Sequence, residues 1–172
     1  MNMKSWLFAV LAGTVPTSVQ AESLQLEIEI PKLNVAEYHR PYVAIWIEDE
    51  RGQHKMDLAV WYDTELKNNE GTKWLKDLRL WWRRSGRELE LPVDGLSGAT
   101  KTVGSHVVNF DEQDYHFSTL PAGQYKLVVE AAREVGGREL VKLPFNLPIQ
   151  LTTKTNARGQ HELGDIVLKQ IP

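Results

Sequence analysis

The sequence predicts a mainly β protein: an antiparallel, immunoglobulin-like β-sandwich with one amphipathic helix inserted between its strands. Residues 24–30 alternate strictly between apolar and polar side chains, which is typical of a strand with one buried face. Residues 42–47 are continuously apolar, which indicates a strand covered on both faces. Further short strands follow at near-regular spacing, as expected for a sandwich.

The remaining strands are short apolar or alternating runs between turn residues. We expect one hairpin to turn at the polar run 111–114 and a second to turn at Gly136 and Gly137. Residues 152–160 are predicted to form a polar turn region. The predicted strands beyond the first two cover residues 57–62, 105–110, 115–119, 125–131, 138–145 and 166–168.

One segment follows a helical period instead. Thr72 is a suitable N-cap, Arg83 and Arg84 fit the last turn, where cations favour the helix dipole, and the helix would end at Ser85. The apolar stripe of this helix consists of Trp74, Leu75, Leu78, Trp81 and Trp82.

The composition excludes several classes of protein. Of 172 residues, 42% are hydrophobic and 25% are charged, which excludes a disordered chain and a polytopic membrane protein. Lys and Arg number 20 against 23 Asp and Glu, and this balance argues against nucleic-acid binding. The chain has no Cys, so disulfides, iron–sulfur clusters and thiolate zinc sites are excluded.

The N-terminus is typical of a signal peptide. Lys4 precedes a short apolar run over residues 6–12, and residues 19–21 have the small-x-small form of a signal-peptidase site. We therefore expect residues 1–21 to be removed and residues 22–172 to form a single β-sandwich domain in the periplasm. A retained N-terminal anchor is the alternative.

The sequence from Asp94 to Thr100 resembles the flavinylation motif D-x-x-(S/T)-G-A-T of proteins that carry FMN on threonine. The resemblance implies that an FMN transferase, using FAD and Mg²⁺, links FMN to the Thr100 hydroxyl through a phosphoester. Small residues next to the acceptor let it enter the transferase, and we expect an exposed loop rather than a sheet ladder here. The motif residues before the acceptor are Asp94, Gly95, Ser97, Gly98 and Ala99.

Most of the chain after residue 21 is also similar to a family of predicted periplasmic proteins classed as a domain of unknown function. This resemblance implies association with PepSY-type membrane proteins and FMN transferases, and thus membrane-linked electron transfer. The segments that carry it are residues 40–49, 58–61, 73–75, 78–82, 97–100 and 130–137.

Aromatic and basic residues near the motif are candidates for contacts with FMN. Trp81 and Trp82, and also Trp61 and Tyr62, could stack on the isoalloxazine ring, although such residues more often belong to a core. The basic residues Arg83, Arg84 and Arg87 could neutralise the FMN phosphate, or they could form a solvated helix end.

The leading hypothesis is an exported electron carrier with FMN on Thr100, which is a substrate of the FMN transferase rather than an autonomous enzyme. Its partners would be the transferase and a membrane redox protein of PepSY type. We expect no metal site, because His106 and His116 would lie on opposite faces of the first predicted hairpin. The alternative is a cofactor-free periplasmic module that binds protein or glycan, with residues 95–100 as an ordinary turn.

Overall fold

Two β-sheets make up the fold in the computed structural model, which describes residues 22–172. The signal peptide predicted for residues 1–21 lies outside the described residues. The strands of residues 22–172 are β1 (Ser23–Ile30), β2 (Tyr42–Asp49), β3 (His54–Tyr62), β4 (Ser97–Ala99), β5 (Gly104–Asp111), β6 (Gly123–Ala132), β7 (Arg138–Leu147), β8 (Thr153–Arg158) and β9 (Asp165–Ile171).

The two sheets form a sandwich. One sheet has the order β5-β1-β9-β8, and its neighbours are antiparallel. The other has the order β4-β3-β2-β6-β7 and is antiparallel except for the parallel pair of β3 and β4. The predicted mainly β fold is confirmed.

The main core lies between the sheets. Leu24, Leu26 and Ile28 of β1 are fully buried there, as their alternation predicted. Strand β2 contributes Ile45 to this core, while Trp46 packs into a second apolar cluster on the outer face of the five-stranded sheet. The continuously apolar strand is therefore covered on both faces, as predicted.

The segment that covers the outer face differs from the single helix predicted. A run of 3₁₀ turns over Lys67–Asp77 is followed by the short helix α1 (Arg79–Arg84). The two are separate because Leu78, which lies between them, has a non-helical ψ of 68°. Thr72 does not cap a helix: its hydroxyl donates to the Asn69 carbonyl at 2.8 Å. Among residues 22–172, no helix is both long enough and apolar enough to cross a membrane.

The first predicted hairpin is wrong. After β5 the chain forms the short helix α2 (Glu112–Tyr115) and a 3₁₀ turn over Phe117–Thr119, and β5 pairs with β1. Phe117 is buried, and its ring stacks on Tyr115 at 6.0 Å, so these aromatics fill the core instead of forming a strand. His106 therefore lies in β5, whereas His116 follows α2.

The second predicted hairpin is confirmed, since β6 pairs with β7 around residues 133–137. The polar turn region predicted over residues 152–160 is wrong for most of its length. Thr153–Arg158 form β8, an edge strand paired with β9. An edge strand exposes much of its surface to water, so its polar side chains do not prevent strand formation.

Candidate functional site

A groove of about 360 Å³ lies where β2 begins and β3, β4 and β6 end. Its volume is within the range of small-molecule sites. We call it the Thr100 groove, because the acceptor predicted from the motif lines it. The other lining residues are Tyr38, His39, Arg40, Tyr42, Asp63, Glu65, Leu66, Trp74, Asp77, Ala99, Ala132, Arg133 and Glu134.

The first half of the motif is a closed turn. The Ser97 N–H donates to the Val93 carbonyl at 2.9 Å, and the Val93 N–H donates to the Ser97 hydroxyl at 2.9 Å. Gly95 has a φ of 77°, which favours glycine, and no atom lies within 4 Å of the Cβ position there. Asp94 is exposed at the tip of the turn. The Ser97 hydroxyl thus stabilises the turn.

The second half of the motif forms the edge strand β4, rather than the exposed loop we expected. Parallel pairing aligns Trp61 of β3 with Gly98. A Cβ on Gly98 would lie 3.2 Å from Trp61 Cδ1, so the strand approaches the indole closely because residue 98 has no side chain. Ala99 is exposed and lines the groove.

Thr100 follows β4 and is half-buried at the groove. Its N–H donates to the Tyr62 carbonyl at 3.1 Å, which fixes the backbone beside the sheet edge. Among the hydrogen bonds of residues 22–172, none involves the Thr100 hydroxyl. Lys101, the next residue, places its ammonium 5.1 Å from the centre of the Trp61 ring. Within residues 22–172 the Thr100 hydroxyl is therefore free of hydrogen bonds, unlike that of Ser97.

Three aromatic side chains line the groove: Tyr38, Tyr42 and Trp74. Trp74 is 42% exposed, although residues 75 and 78 of the same segment are buried. Burial raises the pKa of the phenols of Tyr38 and Tyr42, so both side chains are neutral hydrogen-bonding groups. Tyr62 packs edge-to-face against Tyr42 at 6.3 Å, and its buried hydroxyl has no partner within residues 22–172.

The aromatic residues singled out from the sequence lie elsewhere. Trp81 is fully buried, and its indole N–H donates to Asp57 Oδ1 at 2.8 Å. Trp82 is half-buried with its ring 6.4 Å from that of Trp81, and neither lines the Thr100 groove. Trp61 and Tyr62 are also buried. The helical period placed Trp74 on the buried stripe, and no residue between the expected N-cap Thr72 and Ser85 signals the break at Leu78.

The predicted phosphate-binding arginines do not line the groove either. The Arg84 guanidinium donates to the Gly52 carbonyl and lies 3.6 Å from the Glu48 carboxylate. Arg87 lies 3.7 Å from Glu88. The Arg84 contacts dock the segment on the sheet, whereas the Arg87 contact is exposed and local to the segment.

The charges that line the groove are mainly negative. Four carboxylates, those of Asp63, Glu65, Asp77 and Glu134, face two guanidinium groups. One of these, on Arg133, is held by Glu162 in a bidentate pair of 2.8 and 3.1 Å, with both side chains buried. The groove thus has an excess of negative charge.

Two carboxylates, one fully buried and one partly buried, hold α1 against the sheet. Glu130 accepts the N–H groups of Leu80 at 3.0 Å and Trp81 at 2.8 Å. Asp57 accepts hydrogen bonds from the Ser85 hydroxyl and the Trp81 indole, and lies 2.8 Å from His54 Nε2. Burial raises the pKa of the Asp57 carboxyl, but these hydrogen bonds and the His54 charge outweigh burial and hold that pKa below its usual range.

The sequence from residue 23 to residue 165 matches the family described as predicted periplasmic protein, DUF2271. The chain belongs to this family. The family's description confirms the periplasmic location expected from the sequence. No curated protein and no solved structure matches the chain.

The Thr100 groove of this DUF2271 protein could hold a planar ring, but its excess of carboxylates does not favour an anionic phosphate. Its volume and its aromatic faces suit a planar ring, and His39 and Arg40 add polar groups that can bond to ring heteroatoms. Thr100 could hold the phosphate covalently at one side of the groove. Within residues 22–172, no three His, Asp or Glu side chains cluster as metal ligands would.

Proposed function

We propose that this periplasmic protein carries FMN on Thr100 and transfers electrons to or from a membrane redox protein. The observation that carries the proposal is the position of Thr100. The last residue of the flavinylation-like motif lines a ligand-sized groove with aromatic walls, and its hydroxyl makes no hydrogen bond within residues 22–172.

The covalent step follows from the resemblance to threonine flavinylation. The Thr100 hydroxyl oxygen attacks the FMN phosphorus of FAD within a transferase that supplies Mg²⁺. A new P–O bond to Thr100 forms, the pyrophosphate bond breaks, AMP leaves, and the hydroxyl proton passes to a base of the transferase or to water. The protein therefore gains one FMN less one water.

The residues of this chain have separate tasks in such a carrier. The N–H of Thr100, bonded to Tyr62, fixes the attachment point at the sheet edge. The aromatic lining gives a planar ring an apolar surface to pack against. A covalent link keeps the cofactor at high local concentration, so the groove does not have to bind free FMN tightly. When bound, FMN supplies the redox chemistry.

The experiment is co-export of residues 22–172 with an FMN transferase, followed by intact-mass measurement. We expect the wild type to gain one FMN less one water and Thr100→Ala to gain nothing. Thr102→Ala is the matched control, since Thr102 carries an exposed hydroxyl two residues further along the chain. The Thr102→Ala protein should gain the same mass as the wild type.

An unmodified wild type, with the transferase active on a known acceptor, would contradict the proposal. The Thr100 groove would then favour the second candidate, a cofactor-free module that binds protein or glycan.

A further inference from the structure

Exposed aromatic side chains are concentrated at the Thr100 groove. Among residues 22–172, the aromatic side chains that are exposed are Tyr38 and Trp74, and both line this groove. Leu66, another exposed large apolar residue, lines it as well. Scattered exposed apolar residues are ordinary, but a group of them around one concave surface indicates a binding site.

The backbone that carries Trp74 is held firmly, although the indole itself is exposed. On one side of Trp74, a Cβ on Gly71 would collide with the Asp63 carbonyl, so the 67–77 segment packs against the chain after β3. On the other side, Leu75 is fully buried under the segment. The Asn69 side-chain amide also donates to the Leu91 carbonyl at 2.8 Å. Trp74 therefore projects from a fixed wall, which reduces the ordering cost of binding a ligand.

We propose that Trp74 and Tyr38 form a non-covalent binding site for the planar isoalloxazine ring, while Thr100 holds the phosphate end; this inference rests on the proposed function. Aromatic side chains stack on flat heteroaromatic rings without needing a particular pattern of donors and acceptors. Trp74 is the larger of the two faces and lies in the same groove as the acceptor hydroxyl. Trp82, the aromatic neighbour of α1, does not line the groove and has no role in this site.

The test uses protein loaded with FMN by the transferase and measures flavin fluorescence per attached flavin. A stacked indole quenches flavin emission by electron transfer, so loss of stacking raises the emission. The variants are Trp74→Ala, Tyr38→Ala and, as the matched control, Trp82→Ala. Intact mass first establishes the loading of each variant, and circular dichroism establishes its fold.

We expect Trp74→Ala to raise the emission severalfold, because the attached flavin loses the larger of its two stacking partners. Tyr38→Ala should cause a smaller rise, and Trp82→Ala should resemble the wild type. Trp74→Leu, which keeps an apolar side chain but no aromatic face, should also raise the emission, and it replaces the alanine variant if that variant does not fold or load.

Three different results would overturn the inference, and they are distinguishable. Fully loaded Trp74 variants with wild-type emission would show that Trp74 does not contact the ring, while the proposed function would stand. A rise with Trp82→Ala instead would assign the ring to the other aromatic residue. A wild type that takes no FMN would overturn the proposed function and this inference together.

Discussion

Replacing Glu130 with alanine should loosen α1 from the five-stranded sheet and destabilise the whole fold. The Glu130 carboxylate is fully buried, accepts the N–H groups of Leu80 and Trp81, and lies 2.6 Å from Arg138 Nη1. Hydrogen bonds to a charged group are each worth about 1.5–3 kcal/mol, and the two N–H groups would lose their acceptor. Arg138 is 40% exposed and can return to water, so its ion pair adds little. We expect a loss of about 3–5 kcal/mol in the free energy of unfolding.

The assay is urea denaturation of residues 22–172, followed by tryptophan fluorescence. Glu88→Ala is the control, because Glu88 is 75% exposed and its contact with Arg87 is 3.7 Å. This control should change the free energy of unfolding by less than about 0.5 kcal/mol. A loss of less than about 1 kcal/mol for Glu130→Ala would refute the reasoning, because it would mean that the buried carboxylate does not hold α1.

Three further predictions concern pH, packing and charge. Because the pKa of the Asp57 carboxyl is lower in the folded protein, its ionised form stabilises the fold at neutral pH, and this stability is lost as pH falls from about 4 through the folded pKa. Asp57→Asn should therefore be less stable than the wild type at about pH 6, and urea titrations should show this difference shrinking towards about pH 3. Gly86→Ala places a Cβ 2.5 Å from Trp81 Cζ3 and should cost about 1–3 kcal/mol of unfolding free energy, whereas a small cost would mean that the ring shifts freely. In FMN-loaded protein, Asp77→Asn should raise the midpoint potential by tens of millivolts, since it removes a negative charge that disfavours reduction; a lowered potential would contradict this.

The sequence predicted strands and turns correctly where the residue pattern directly reflects which faces are buried or where the chain turns. Strand β1 alternates because one face lies on the core, and β2 is apolar throughout because both faces are covered. The turn at Gly136 and Gly137 was predictable because consecutive glycines between strand runs mark a tight connection. In these places the local signal and the tertiary environment agree.

The errors arose where distant parts of the chain decide the structure. The run after β5 looked like half a hairpin, but Phe117 is needed in the core, and β5 pairs with β1, more than 70 residues earlier in the chain. The polar residues of β8 form a strand only because β9 offers its edge. The helical period of residues 74–82 correctly identified Leu75, Leu78 and Trp81 as buried. It predicted neither the break at Leu78 nor the exposure of Trp74.

Of the residues that line the candidate site, the sequence motif singled out only Ala99 and Thr100. The motif identified Thr100 from seven contiguous residues. The other walls of its groove come from residues 38–42, 63–66 and 132–134, which no local pattern connects. The stacking residues chosen from the sequence were neighbours of the motif along the chain, whereas the aromatic residues at the groove are neighbours only in the fold.

The measurement that tests the central claim most directly is the location of the modification within the peptide of residues 88–101, which trypsin releases by cutting after Arg87 and after Lys101. This peptide contains two hydroxyl side chains, those of Ser97 and Thr100. Tandem mass spectrometry of transferase-treated protein should place the added FMN on Thr100, because the Ser97 hydroxyl is engaged in the turn, whereas Thr100 lines the groove. FMN on Ser97, or an unmodified peptide from protein exposed to an active transferase, would contradict the account.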